Sequence, residues 1–140
     1  MIKILYFAEM YTGKESEAFL ISKRCRVELT VKTGLHVYSP IVDSHPVWQY
    51  ILENNLEKPV HNFWLNRDLA ILEALKSIGV ILVFYEDTTS DHYGKIIVDP
   101  TKSKGATIEW NWAQSNNIRC VTYESVINNP KNQELWEDVK

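Results

Sequence analysis

A chain of 140 residues with 45% hydrophobic and 24% charged content has the size and balance of one globular domain, able to bury a core without disulfide or metal staples. Its formal net charge of −3, with basic residues scattered along the chain, excludes the cationic footprint of a nucleic-acid binder. No run approaches ~18 apolar residues and the amino terminus lacks a long apolar h-region, so no membrane span or signal peptide is expected and the chain reads as cytoplasmic.

Residues 2–8 form a short apolar strand, and Thr12-Gly13-Lys14 reads as a turn. From Glu15 to about Lys32, Ala18, Ile21, Cys25 and Leu29 recur at helical spacing, and Gly34 supplies the stop. Leu35 to Tyr38 reads as a second strand, ended by Ser39-Pro40. The segment through Asp43-Ser44-His45-Pro46 reads as a loop leading to a short helical piece at Val47–Glu53. A helix over about His61–Ser77 carries Trp64, Leu65, Leu69, Leu72 and Leu75 on one apolar face.

After Gly79 comes the unbroken apolar run Val80–Tyr85, which suits a strand covered on both faces, as in a parallel sheet. The polar stretch from Glu86 to Lys102, interrupted only by Ile96-Ile97-Val98, is long for a connection and predicts a functional loop, a lid or an added hairpin. A helix from Gly105 to about Gln114, a strand over Ile118–Tyr123 and a closing helical turn at Glu134–Val139 complete the chain. Strands alternating with helices predict one α/β domain. It is a three-layer sandwich around a flavodoxin- or Rossmann-like, mostly parallel sheet of four to five strands.

In such sheets ligands bind beyond the carboxyl ends of the strands, where the strand order reverses. The connections after the first strand (Tyr6, Thr12–Lys14) and before the late helix (Ser103–Glu109) flank that point in the flavodoxin-like order, so they are expected to face one another. Glu109 reads as a carboxylate in the first turn of its helix, where the macrodipole favours the ionised form. Asp68 lies in a helix beside Arg67 and reads either as a salt-bridged surface residue or as a group that holds a base and shuttles a proton. Thr12-Gly13-Lys14 and Ser103-Lys104-Gly105 each combine a glycine, a hydroxyl and a lysine, a composition able to cradle a phosphate beside a helix start.

Asp43-x-His45 and Asp91-His92 lack a third ligand at suitable spacing, so no metal site is expected. Cys25 and Cys120 read as small buried hydrophobes. Trp110 and Trp112 are expected on opposite sides of a helix, at least one packing on the sheet or a partner. Five tryptophans and seven tyrosines are enough aromatic surface to suggest a homodimer or higher homo-oligomer.

Three segments together resemble the nucleoside 2-deoxyribosyltransferase superfamily. They are Leu5-Tyr6-Phe7-Ala8, Asn66-Arg67-Asp68-Leu69 ahead of an apolar strand, and Gly105-x-x-x-Glu109. The resemblance implies Glu109 as nucleophile at the sugar C1′, Tyr6 as the residue orienting it, and Asp68 as the group serving the base. The superfamily's transferases carry an aspartate six residues before the nucleophile. Ser103 stands there in this chain, as a serine does in the related 2′-deoxynucleoside 5′-monophosphate N-glycosidases, where it contacts the phosphate. That resemblance implies cleavage of the N-glycosidic bond of a nucleoside or nucleotide by hydrolysis or transfer, with no cofactor. Thr12, Gly13, Lys14, Ser103, Lys104 and Gly105 would hold the substrate's phosphate. Glu9, Thr107 and the long 86–102 segment depart from the pattern. They motivate two competing readings: a non-catalytic nucleotide-binding protein, and an enzyme on another ribosyl substrate such as NAD.

Overall fold

The structure, a computed structural model, describes residues 3–9, 15–60, 62–85, 88–90, 96–98 and 104–131. Thr12, Gly13, Lys14, Ser103 and the 134–139 helical turn lie outside the described residues.

Four strands, β1 (Ile4–Ala8), β2 (His36–Tyr38), β3 (Val80–Phe84) and β6 (Cys120–Thr122), form a parallel sheet in the order β2-β1-β3-β6. Between β2 and β3 come α2 (Pro40–Glu53) and α3 (Phe63–Lys76); α1 (Glu15–Thr33) connects β1 to β2. Two short strands, β4 (Thr88–Ser90) and β5 (Ile96–Val98), pair antiparallel between β3 and α4 (Lys104–Ser115). Within the polar 86–102 stretch, the described strands β4 and β5 thus pair as an added hairpin would, and they lie against β6 and α4. The short helix α5 (Tyr123–Asn128) follows β6.

Alternation along the strands divides the core into two layers. Leu5, Phe7, Ile81, Val83 and Val121 pack with Cys25 and Leu29 of α1 and Val126 of α5. Tyr6, Ala8, Leu82, Phe84 and Cys120 pack on the other face with Leu72 of α3 and with Ala106 and Ala113 of α4. The chain is thus a three-layer α/β sandwich with helices on both faces of a parallel sheet. All five residues of β3 are buried. Each large apolar side chain covered in this way contributes about 1.5–3 kcal/mol, which makes β3 the best-held element of the sheet. No helix among the described residues is long and apolar enough to cross a membrane.

Local sequence explains most element ends. Gly34 adopts φ +72° and its amide donates to Thr30 O, closing α1 with a left-handed residue where only glycine is unstrained. The helix α2 begins earlier than its sequence suggests. Ser39 Oγ accepts from Val42 N at 3.4 Å, and Pro40 fills the first helical position, where a missing N–H costs nothing. Pro46 lies inside the same helix, so both prolines that suggested a loop are accommodated within α2. The last strand is shorter than the 118–123 reading: it ends at Thr122, which pairs with Phe84 and also caps α5, its Oγ1 accepting from Ser125 N. Trp110 and Trp112 both pack against the α3/α4-side core, and Trp112 Nε1 donates to Glu73 Oε1 at 2.7 Å. Both cysteines are buried, and burial pushes the Cys120 thiol up to about 12.

Candidate functional site

Tyr6 is the middle residue of β1, not its end. Its register partners are Tyr38 on β2 and Leu82 on β3. Strand alternation turns the phenol onto the sheet face covered by α3 and α4, where it is fully buried. Two carboxyls reach the same region, Asp68 from α3 and Glu109 from α4, and both act electrostatically on Tyr6. The three residues that the sequence resemblance singles out are therefore brought together beneath the two helices.

Glu109 does not lie in the first turn of its helix. The helix α4 starts at Lys104, its first turn carries no acidic residue, and Glu109 is the sixth residue. The macrodipole falls off within a turn, so it does little to keep this carboxylate ionised. Burial dominates instead. With 7% of its surface exposed, Glu109 is pushed from an ordinary 4.5 to about 8, chiefly by desolvation and further by the negative charge of Asp68; the Tyr6 hydroxyl opposes the shift. Glu109 is mostly protonated at pH 7, contrary to the ionised state expected from the helix start.

The Tyr6 hydroxyl influences Glu109 as a hydrogen-bond donor would, yet Tyr6 Oη reaches no acceptor at normal hydrogen-bond geometry. The two groups approach each other without a formed hydrogen bond. Burial, Glu109 and Asp68 together raise the Tyr6 phenol well above its ordinary value, so it is a neutral donor at any physiological pH.

Asp68 is held differently. The side chain of Arg67, only 22% exposed, places Nε at 3.0 Å and one terminal nitrogen at 2.7 Å from Asp68 Oδ1. The same guanidinium donates to Asp43 Oδ2 at 2.7 Å and to Pro40 O at 3.3 Å, and lies 5.1 Å from the Trp64 ring. Arg67 thus ties α3 to the first turn of α2. Both bonds to Asp68 end on Oδ1, leaving Oδ2 for another partner. Burial raises the Asp68 carboxyl while Arg67 lowers it, with the net shift upward. The negative charge of Asp68 adds to the upward shift of Glu109, after burial.

Removal of the clamp has a calculable consequence. Arg67→Ala strands Asp68, whose side chain is 14% exposed, without its counter-charge, and is expected to lower unfolding free energy by about 1–3 kcal/mol. Arg67→Lys should recover only part of this, because an ammonium does not reproduce the planar fork. Urea denaturation checks both; an Arg67→Ala protein as stable as wild type would refute the clamp.

Tyr38 belongs to the site and was not singled out in the sequence. Its ring centroid is 5.7 Å from that of Tyr6, its buried hydroxyl has no hydrogen-bond partner, and Arg67, Asp43 and Asp68 all act on it. The available signal was register: a parallel pairing of the first two strands sets the two tyrosines side by side. Lys104 and Gly105 open α4. A methyl group at Gly105 would meet nothing within 4 Å, so the structure does not require glycine there for packing. Thr12, Gly13, Lys14 and Ser103 fall outside the described residues, so the geometry bears on the proposed catalytic residues and not on the phosphate-binding set. No protein-family model matches this chain, and no curated protein or solved structure matches it either.

Proposed function

We propose that this chain cleaves the N-glycosidic bond of a nucleoside or nucleoside 5′-monophosphate, by hydrolysis or deoxyribosyl transfer. The observation that carries this reading is the cluster of Glu109, Asp68 and Tyr6 on one sheet face, two carboxyls acting on one neutral, buried phenol. Glycosidic cleavage needs a nucleophile for C1′ and a proton for the departing base. In this scheme Glu109, which titrates at about 8, carries the proton, and Asp68, beside Arg67, carries the negative charge. As the C1′–N bond breaks, Glu109 gives its proton to Asp68, which relays it to the base nitrogen. The Glu109 carboxylate so formed bonds to C1′, giving a glycosyl ester, and the Tyr6 hydroxyl orients it. Water resolves the ester in a hydrolase, and a second base in a transferase. Lys104 and Gly105, at the positive end of α4, support the 5′-phosphate together with Thr12, Gly13, Lys14 and Ser103.

This scheme makes the singly protonated pair the active form. The expected kcat/KM profile is a bell whose alkaline limb falls through about pH 8, the value for Glu109. A rate that climbs tenfold per unit above pH 8 would contradict it. The first test is chromatographic detection of free base from a panel of ribo- and deoxyribonucleosides, their 5′-monophosphates and NAD, with Glu109→Ala in parallel. Release by wild type alone supports the reading; no release from any substrate, even with an acceptor base added, removes it.

The protonated state of Glu109 favours a second reading. A neutral carboxyl is a poor nucleophile and a good hydrogen-bond donor, as a non-catalytic nucleotide-binding protein would require. Stoichiometric binding of a nucleotide recovered chemically unchanged would establish that alternative.

The reading includes a homodimer or higher oligomer acting in the cytoplasm. Leu20, Tyr50, Val60 and Phe63 are large hydrophobics 46–77% exposed, surface that subunit contact would cover. Light scattering at micromolar concentration is expected to give at least the dimer mass, and a monomer would refute the prediction.

A further inference from the structure

The sheet has one edge at β2, and among the described residues no strand pairs with its outer side. A cavity of about 700 Å³ wraps this edge. Val37 and Tyr38 form its floor, Val27 and Val31 of α1 one wall, and Ile71 and Leu75 of α3 the other. Val27 is 62% and Val31 76% exposed, values that leave a helix surface apolar and uncovered. Lys23 and Arg26 also line the groove, and no aspartate or glutamate does. Among the described residues Arg26 has no ion-pair partner, and the Lys23 ammonium lies 5.2 Å from the Phe19 ring rather than beside a carboxylate. Two uncompensated cations are thus gathered in one groove of a chain whose net charge is −3.

We propose that this groove docks an extended acidic segment of a partner protein, which adds a strand to β2. Each feature excludes a different occupant. A lipid-like anion would match the valines and the cations, but it would cover the edge amides and carbonyls of β2 without bonding them, which is costly. A peptide strand satisfies those groups by pairing. A second copy of this chain, docked edge to edge by two-fold symmetry, would bring the Lys23 and Arg26 of both grooves together with no lining carboxylate to offset them. A strand with alternating apolar and acidic side chains meets all three demands, since its side chains reach both walls in turn. The groove adjoins the Glu109 cluster, and the proposal does not depend on the glycosidase reading. The two share Tyr38, which lines the groove and whose ring lies tilted against that of Tyr6.

The test is fluorescence anisotropy with the whole chain and a labelled octapeptide of alternating valine and glutamate. Saturable binding in the micromolar range is expected. Lys23→Glu combined with Arg26→Glu, both at exposed helix positions, should weaken it at least tenfold. The same variant should gain affinity for the valine–lysine octapeptide, which shows that the fold is intact. Methylating alternate backbone nitrogens of the valine–glutamate peptide should also cost at least tenfold. Equal binding of the methylated peptide, or its displacement by dodecanoate, would overturn the strand-addition proposal in favour of an amphiphile site. Absence of saturable binding up to millimolar peptide, or a dimer that Val31→Glu dissociates, would overturn it outright.

Discussion

Glu109→Gln is expected to reduce single-turnover base release by about 10³-fold or more, with substrate affinity changed only a few-fold. An amide neither forms the glycosyl ester nor supplies the proton that the leaving base takes, so the substitution removes both contributions of the carboxyl at once. Glutamine has nearly the same shape, and the position is buried within α4 beside Ala106 and Ala113, so the fold should persist. The loss should be confined to the chemical step. Turnover within tenfold of wild type would show that Glu109 is not the nucleophile, whatever the substrate.

The same substitution should make the protein more stable at alkaline pH, an effect independent of any enzymatic activity. Glu109 titrates at about 8 in the folded chain, against 4.5 for an ordinary glutamate. Between those values the folded state keeps a proton that the unfolded state has lost. Stability contributed by the neutral carboxyl is therefore fully present below pH 4.5 and declines as pH rises through about 8. Each unit of pH inside that window costs the wild type up to ~1.4 kcal/mol from this group. Glutamine does not titrate and pays nothing. At pH 8.5 the Gln variant should exceed wild type by on the order of a few kcal/mol, while at pH 5 the two should agree within ~1 kcal/mol. Denaturant titrations at the two pH values measure it. A difference that does not grow with pH would mean that Glu109 is ionised in the folded protein, which would also remove the proton on which the proposed mechanism depends.

Much of the architecture was legible because it rests on local patterns. The run Val80–Phe84 is apolar at every position, and only a strand covered on both faces accommodates that. Ala18, Cys25 and Leu29 share the buried side of α1, as their spacing requires. The beginning of α2 was hidden because Pro40 and Pro46 read as breakers; Ser39 as a cap and the first helical position for Pro40 reverse that reading.

The site was legible in part. The order of Tyr6, Asp68 and Glu109 along the chain pointed to one cluster, and they do converge. Their electrostatics was not legible. Whether Glu109 is ionised depends on where α4 starts and how completely the sheet and Asp68 enclose the carboxyl, both of which are tertiary properties. Arg67 looked like a neighbour of Asp68 on a solvated helix, whereas its reach to Asp43 and Pro40 depends on how α2 packs against α3. Tyr38 and the β2 groove arise from register and from the sheet edge, which no single segment encodes.

The most direct test of the central claim is intact-protein and peptide mass spectrometry after incubation with 2′-fluorinated nucleosides and nucleoside 5′-monophosphates. Fluorine at C2′ destabilises the oxocarbenium-like transition state and should let the glycosyl ester accumulate. The account predicts a mass increase of one fluorinated sugar or sugar phosphate, located on Glu109, with an equivalent of free base released. Base release with no adduct, or with the adduct on another residue, would contradict it.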